Sequence, residues 1–178
     1  MLKIVLGILV ALVGLIAIVI AIGYSLPVKH VASRAISLRQ KPDAIFELIA
    51  NFKDASWRPN VKQVEVLAPT GGKPRFREVT SDGSITYEVA QSTSPSRLAT
   101  VIADKTLPFG GAWIYEITPT ADGCRLNITE RGEVYSPVFR FVSRFFLGYQ
   151  SSLNTYLTNV ARKFGETPAI ENGVAGSL

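Results

Sequence analysis

The sequence predicts an α+β fold, an antiparallel sheet followed by a long C-terminal helix, carried behind one N-terminal transmembrane helix. Three patterns predict it. Between Lys3 and Lys29 no side chain is charged at neutral pH over 25 residues. From Val61 onward the hydrophobic period is two, in runs cut by short turn-forming clusters, and from Val138 to Phe164 apolar residues step by three or four.

Ile4 to Ile22 is Ile, Val, Leu, Ala and Gly only, and an uncharged run of that length crosses a hydrocarbon core of ~30 Å as a helix. A cleaved signal peptide is the competing reading, with a cut after Gly23; its apolar region normally runs only ~7–15 residues, so the uncleaved anchor is preferred. Gly7, Ala11 and Gly14 share one face and offer a small-residue packing seam, although ordinary span composition explains them as well. The basic residues Lys29, Arg34, Arg39 and Lys41 after the span outnumber Lys3 and the amino terminus before it. That asymmetry favours a cytoplasmic soluble domain.

Pro27 closes the span, and Val31 to Leu38 alternates as a strand, leaving almost no linker. Lys41-Pro42-Asp43 opens a helix with an apolar stripe of Ile45, Leu48, Ile49 and Phe52. A second short helix or turn is expected over Asp54–Arg58, stopped by Pro59. Six antiparallel strands follow: Val61–Ala68, Pro74–Ser81, Ser84–Thr93, Arg97–Asp104, Ala112–Pro119 and Cys124–Val134. Pro69-Thr70-Gly71-Gly72, Asp82-Gly83, Ser94-Pro95-Ser96, Pro108-Phe109-Gly110-Gly111 and Asp122-Gly123 punctuate them. Ser136-Pro137 starts the final helix, whose apolar face includes Val142, Phe145, Tyr149, Leu153, Tyr156 and Val160. The domains are therefore 1–27, the transmembrane helix; 28–165, the folded domain; and 166–178, a small, polar tail expected to be disordered.

Composition narrows function. Of 178 residues, 47% are hydrophobic and 19% charged, with a formal charge of +5. Behind the leader about 150 residues remain, enough for an ordinary core. One cysteine, Cys124, excludes an intrachain disulfide framework, and with the single histidine, His30, it excludes the usual metal sites. His30 lies beside the anchor and is poorly placed for a buried Ser-His-Asp or Cys-His arrangement. Gly71-Gly72-Lys73 is no phosphate loop, because Leu67 stands where the first glycine is needed and Pro74 follows the lysine. No dinucleotide fingerprint is present, and no cofactor is expected. The basic residues are dispersed over several elements, as on a solvated surface, so no nucleic-acid partner is expected.

The segment from Lys41 to Asn60, KPDAIFELIANFKDASWRPN, resembles the opening P-x-x-V-(F/W)-x-L-(I/L)-x-(D/N)-(F/P)…W-x-P of the START-like, polyketide cyclase/dehydrase and lipid-transport superfamily, also called SRPBCC. The order of elements over about residues 31 to 165 resembles it too. The resemblance implies a helix-grip fold, a curved seven-stranded antiparallel sheet around the C-terminal helix, with a hydrophobic ligand cavity between them. Members range from lipid and hormone carriers to aromatase/cyclases and oxygenase subunits, so the fold alone does not name a ligand.

Parity selects the side chains that face such a cavity. Ile85, Tyr87 and Val89 form one row, Trp113, Tyr115 and Ile117 another, and Phe76 shares a face with Glu78. Cys124, Leu126 and Ile128 set Glu130 on their own face. Glu78 and Glu130 are the sharpest polar candidates, because an inward carboxylate is either paired or raised in pKa; a bulge at Gly132 or misread parity over Arg75–Val79 would turn either into water. Together with the resemblance, parity and helical spacing give Trp57, Phe76, Tyr87, Trp113, Tyr115, Glu130, Phe145 and Tyr149 as candidate ligand-binding residues, with Trp57 at the family's aromatic position beside the pocket mouth. A plainly packed core is the competing account of the same residues. Gly110-Gly111 reads as a turn or as the hinge of a gate.

The expected partners are a hydrophobic small molecule or lipid and the membrane; oligomeric state is left open. The leading expectation is a membrane-anchored binding module for a lipid, isoprenoid or polyketide-like ligand. The alternatives are a cyclase or dehydratase using Glu78, Glu130 or a tyrosine, and a structural or assembly factor with a filled core.

Overall fold

The computed structural model describes all residues, Met1 to Leu178. Helix α1 (Leu2–Ser25) ends where Leu26 turns to extended backbone ahead of Pro27. It is long and apolar enough to cross a membrane. Strand β1 (Lys29–Leu38) follows after three residues, then α2 (Pro42–Ala50), β2 (Val61–Thr70), β3 (Lys73–Thr80), β4 (Ser84–Thr93), β5 (Arg97–Ile102), β6 (Phe109–Thr120) and β7 (Gly123–Val134). Helix α3 (Pro137–Val142) runs into a π-helical turn, Ser143–Leu147, and α4 (Ser151–Lys163) and β8 (Ile170–Asn172) complete the chain. All neighbours pair antiparallel, in the order β2-β3-β4-β5-β6-β7-β1-β8. The first strand closes on the last long one, so α2 and α4 lie over one face. Between them and the sheet Ile36, Ile45, Leu98, Leu126, Ile128, Leu153, Leu157 and Val160 are fully buried. This is the α+β helix-grip architecture.

The Asp54–Arg58 segment takes the turn alternative: the Arg58 amide donates to the Ala55 carbonyl, and the Asp54 carboxylate accepts from the Ser56 amide at 2.9 Å, which competes with helical pairing. Three other expectations need correction. Phe109, Gly110 and Gly111 belong to β6 and pair with Val134, Glu133 and Gly132. They are neither turn nor hinge; Gly111 is glycine because its φ is +129° and a Cβ there would lie 2.2 Å from the Arg131 carbonyl oxygen.

The single C-terminal helix is in fact two. The Gly148 amide donates to the Ser143 carbonyl five residues back, and Gly148 takes φ +72°. Gly148, at φ +72° and ψ 148°, takes the chain out of helical backbone, so α3 with its π turn and α4 are separate helices with separate faces; Phe145, on the first, points away from the sheet, and α4 starts a new apolar stripe at Leu153.

Nor is the tail disordered. Its segment β8 adds an eighth strand beside β1, and Val174 and Gly176 bond to Asn127 and Thr129 across the convex face. Ile114, Ala99, Ala35 and Thr129 point to that face and are fully buried there. Gly173 permits the close approach, since a Cβ on it would meet Asn127 Oδ1 at 2.4 Å and the Arg34 amide nitrogen at 2.7 Å.

Candidate functional site

The concave face carries a two-lobed cavity beneath α3 and α4. Each lobe measures about 550 Å³, and the lobes share walls that include Ile85, Tyr87, Thr100, Phe109, Trp113 and Phe139. Strand parity and register assemble that wall. Phe76 pairs with Tyr87, Tyr87 with Ile102, Thr100 with Trp113, and Trp113 with Glu130, so same-face residues of five strands form the wall as one row, stepped by two residues along β5. Ring contacts follow the row: Phe52 stacks on Phe76 at 4.2 Å, Phe76 on Tyr87 at 5.2 Å, and Tyr156 from α4 meets Trp113 and Tyr115 at 5.6 Å each. A wider groove of about 770 Å³ lies outside α4 between Arg144, Gln150 and Arg162. It is open and mostly polar, and Tyr149 stands between it and the second lobe, lining both.

One polar station stands at each end. In the first lobe, Arg58 Nη2 bonds Glu78 Oε1 at 2.7 Å, with both side chains nearly buried. The Arg58 guanidinium also lies 5.3 Å from the Trp57 ring and 5.7 Å from the Tyr156 ring. The 54–60 turns position it, since the Arg58 amide donates to Ala55 at 2.8 Å and its carbonyl accepts from Val61 at 3.0 Å. Burial lowers the Arg58 pKa, but Tyr156 and Glu78 outweigh it, and the net shift is upward. Desolvation raises three phenols: Tyr87 and Tyr115 strongly, and Tyr156 to about 12. All three stay neutral donors at physiological pH.

In the second lobe, His30 Nε2 lies 3.2 Å from Glu130 Oε1, and the Ser152 hydroxyl donates to Glu130 Oε2 at 3.1 Å. The His30 ring stacks on Tyr149 at 3.8 Å and rests over Gly132, where a Cβ would meet it at 2.2 Å. Pairing of β7 with β1 runs through Gly132 without a bulge, and this keeps Glu130 inward. The buried atoms Arg58 Nε and His30 Nδ1, one at each station, have no protein partner.

Six of the eight candidate residues, Phe76, Tyr87, Trp113, Tyr115, Glu130 and Tyr149, therefore gather around this volume. Trp57 lies beneath it, buried, with its indole donating to the Asp54 carbonyl at 3.2 Å, and supports Tyr156 edge-on at 5.2 Å. Phe145 is 58% exposed and lies outside, for the reason given above. His30, set aside because it adjoins the anchor, is a cavity residue: β1 begins at Lys29 and its second residue already faces inward. Arg58 was missed as well. The signal available for it was its place beside Trp57, one residue before a proline, opposite an inward Glu78. Cys124 is buried, its thiol pushed up to about 11 by desolvation, and no three His, Cys, Asp or Glu side chains gather as a metal site.

Residues 29–165 match the family model for polyketide cyclase / dehydrase and lipid transport, and the chain belongs to that family. No curated protein matches it in sequence. Among solved structures it is similar to a conserved protein from Geobacillus kaustophilus (13% identity, TM-score 0.64, covering 80% of this chain and 100% of that one). A protein from Thermus thermophilus is also similar (18%, 0.60, covering 76% and 95%). So is norcoclaurine synthase from Thalictrum flavum, solved in complex with dopamine and hydroxybenzaldehyde (11%, 0.59, covering 77% and 87%). At these identities the likeness is one of fold.

Proposed function

We propose that this protein is a membrane-anchored binding domain that holds a hydrophobic, oxygen-bearing ligand, a lipid, isoprenoid or polyketide-like molecule, between its sheet and its C-terminal helices. The aromatic-walled cavity carries the reading, since its size suits a small-molecule site of ~300–1,000 Å³. The Arg58–Glu78 and His30–Glu130 stations support the oxygen preference: they put polar side chains on the lining of the two lobes, and a few placed polar groups in an apolar pocket fix a ligand's orientation. Helix α1 anchors the domain, with the soluble part on the cytoplasmic side. The anchor keeps the cavity next to the bilayer, and an apolar ligand then avoids a transfer through water that costs ~0.8 kcal/mol per CH₂.

The test is extraction of the purified full-length chain with organic solvent and mass spectrometry of what is released, compared with Tyr115→Trp, which fills the cavity. An apolar compound present in the parent and depleted in the variant is the expected result. No co-purifying compound, together with no binding of an apolar fluorescent probe by the parent, overturns the reading. The His30–Glu130 contact inside the cavity favours one second reading, acid/base catalysis of a cyclase or dehydratase type. A released aromatic ketone that accumulates unreacted in Glu130→Gln would support it.

A further inference from the structure

Outside α1, exposed large apolar side chains concentrate in one place. Val138 on α3 and Phe145, Phe146 and Leu147 on the π turn are 45, 58, 75 and 57% exposed, with Phe141 packed against both phenyl rings. Three consecutive large apolar residues facing water leave most of their burial unrealised. Such a patch marks a contact surface.

Its position says which contact. Helix α1 packs against α3. Gly23 is buried there, so close that a Cβ would stand 2.0 Å from the Pro137 carbonyl oxygen. The buried Arg140 guanidinium clamps the junction, donating to the Leu26 carbonyl at 2.7 Å and to the Tyr135 carbonyl at 3.4 Å. Along α1 only Val19, Ile20 and Gly23 are shielded. At ~1.5 Å per residue, Val19 lies about 4.5 Å inside the end of the uncharged run at Ile22. Helix α3 therefore rides beside the last turn of the apolar helix, at the edge of a hydrocarbon core and not above it. Charge agrees: no acidic residue stands between Glu133 and Glu166, whereas Arg140, Arg144, Arg162 and Lys163 do, and Arg144 is exposed within the apolar turn itself.

We propose that the Ser143–Leu147 turn, with Val138, is an interfacial insertion into the bilayer leaflet that α1 leaves. Phe145, Phe146 and Leu147 enter the acyl boundary while Arg144 reaches back to lipid phosphates. The proposal rests on α1 being the span. Its consequence is a lipid-facing wall for the second lobe, which Phe139, Leu147 and Tyr149 line.

Full-length protein with Cys124→Ala is labelled with an environment-sensitive fluorophore at Ile8→Cys, Phe146→Cys or Asp122→Cys. The samples are reconstituted in phosphatidylcholine/phosphatidylglycerol nanodiscs with and without a spin-labelled, bilayer-confined lipid quencher. Asp122 lies in the β6–β7 turn, roughly 36 Å along β7 from Glu133, and reports bulk water. The expected result is quenching at residue 146 close to that at residue 8 and several-fold above that at residue 122. Quenching at 8 with none at 146 overturns the insertion and leaves the span standing. Absence of quenching at both overturns the span and the insertion together. An unlabelled comparison of parent with Phe145→Ser/Phe146→Ser, reading protection of the 143–147 amides from hydrogen exchange in the same nanodiscs, guards against a label that drags its own site into lipid. Protection equal in the two proteins counts against insertion.

Discussion

The Arg58–Glu78 pair allows a test in which the two halves of one contact behave differently. Both side chains are close to fully buried and the contact is 2.7 Å, so removing one partner leaves an uncompensated charge, at about 3–5 kcal/mol. For a domain of this size that lowers Tm by roughly 6–20 °C. Glu78→Gln strands a guanidinium that has no neutral form to retreat to, and its loss should hold across pH 5–8. Arg58→Met strands a carboxylate, which can take up a proton; its deficit should shrink as pH falls. The double variant Arg58→Met/Glu78→Leu should recover most of the loss, short of about 1–2 kcal/mol for the guanidinium's place beside Trp57 and Tyr156. The readout is thermal unfolding in detergent followed by the fluorescence of Trp57 and Trp113, the only two tryptophans, both beside the cavity. Single-variant losses that simply add in the double variant would refute the coupling, and with it the account of Arg58 as a desolvated partner of Glu78.

Two further outcomes follow from the packing of the tail and the burial of three tyrosines. Ending the chain at Gly165 should uncover Ile114, Ala99, Ala35 and Thr129 on the convex face, lower Tm, and leave β1 an open edge whose amides facing β8 exchange faster; equal stability of 28–165 and 28–178 would show that the tail contributes nothing to the folded unit. In alkali, Tyr87, Tyr115 and Tyr156 hold their protons above the ordinary tyrosine value through burial, Tyr156 to about 12, while unfolded tyrosine ionises near pH ~10. The native state then binds more protons than the unfolded one, so their contribution is complete below pH ~10 and is lost as pH rises towards 12, by about 1.4 kcal/mol per pH unit for each phenol. Absorbance at ~295 nm should show these phenols titrating with unfolding, and free titration in the folded protein near pH 10 would contradict their burial.

Period and parity carry far in this chain because a strand's faces alternate whatever its partners are. Glu78 and Glu130 point inward as their neighbours Phe76 and Ile128 require, and the inward row from Phe76 to Glu130 follows. The helical stripe misled at Phe145, since the helix breaks at Gly148 and a break leaves no mark in a hydrophobicity pattern; Gly148 is the sole local sign. Gly110-Gly111 misled for the opposite reason: glycines that make room for a neighbouring strand look like glycines that make a turn. The tail's role depends on which face of the sheet lacks a cover, a tertiary fact, and a string of small polar residues carries no trace of it. Arg58 and His30 lie outside the regular pattern, one in a turn and one at the very start of a strand, and only the closed sheet brings them to the cavity.

The order of the bonds at the second station separates the two kinds of function. Ser152 donates to Glu130 and not to His30, so its hydroxyl is held by a carboxylate that also engages the imidazole, and no ring nitrogen is placed to take its proton. That arrangement does not prepare a nucleophile. It fixes the His30 ring flat between Tyr149 and Gly132, with Nδ1 buried and unengaged, while Arg58 Nε stands unengaged at the other end of the aromatic wall. Buried polar pairs of this kind add little stability over well-packed apolar residues, and an entirely apolar cavity would hold a hydrocarbon without them. Their place on the cavity lining is what the proposed apolar, oxygen-bearing ligand would use, because a few fixed polar groups in an aromatic wall set a ligand's orientation.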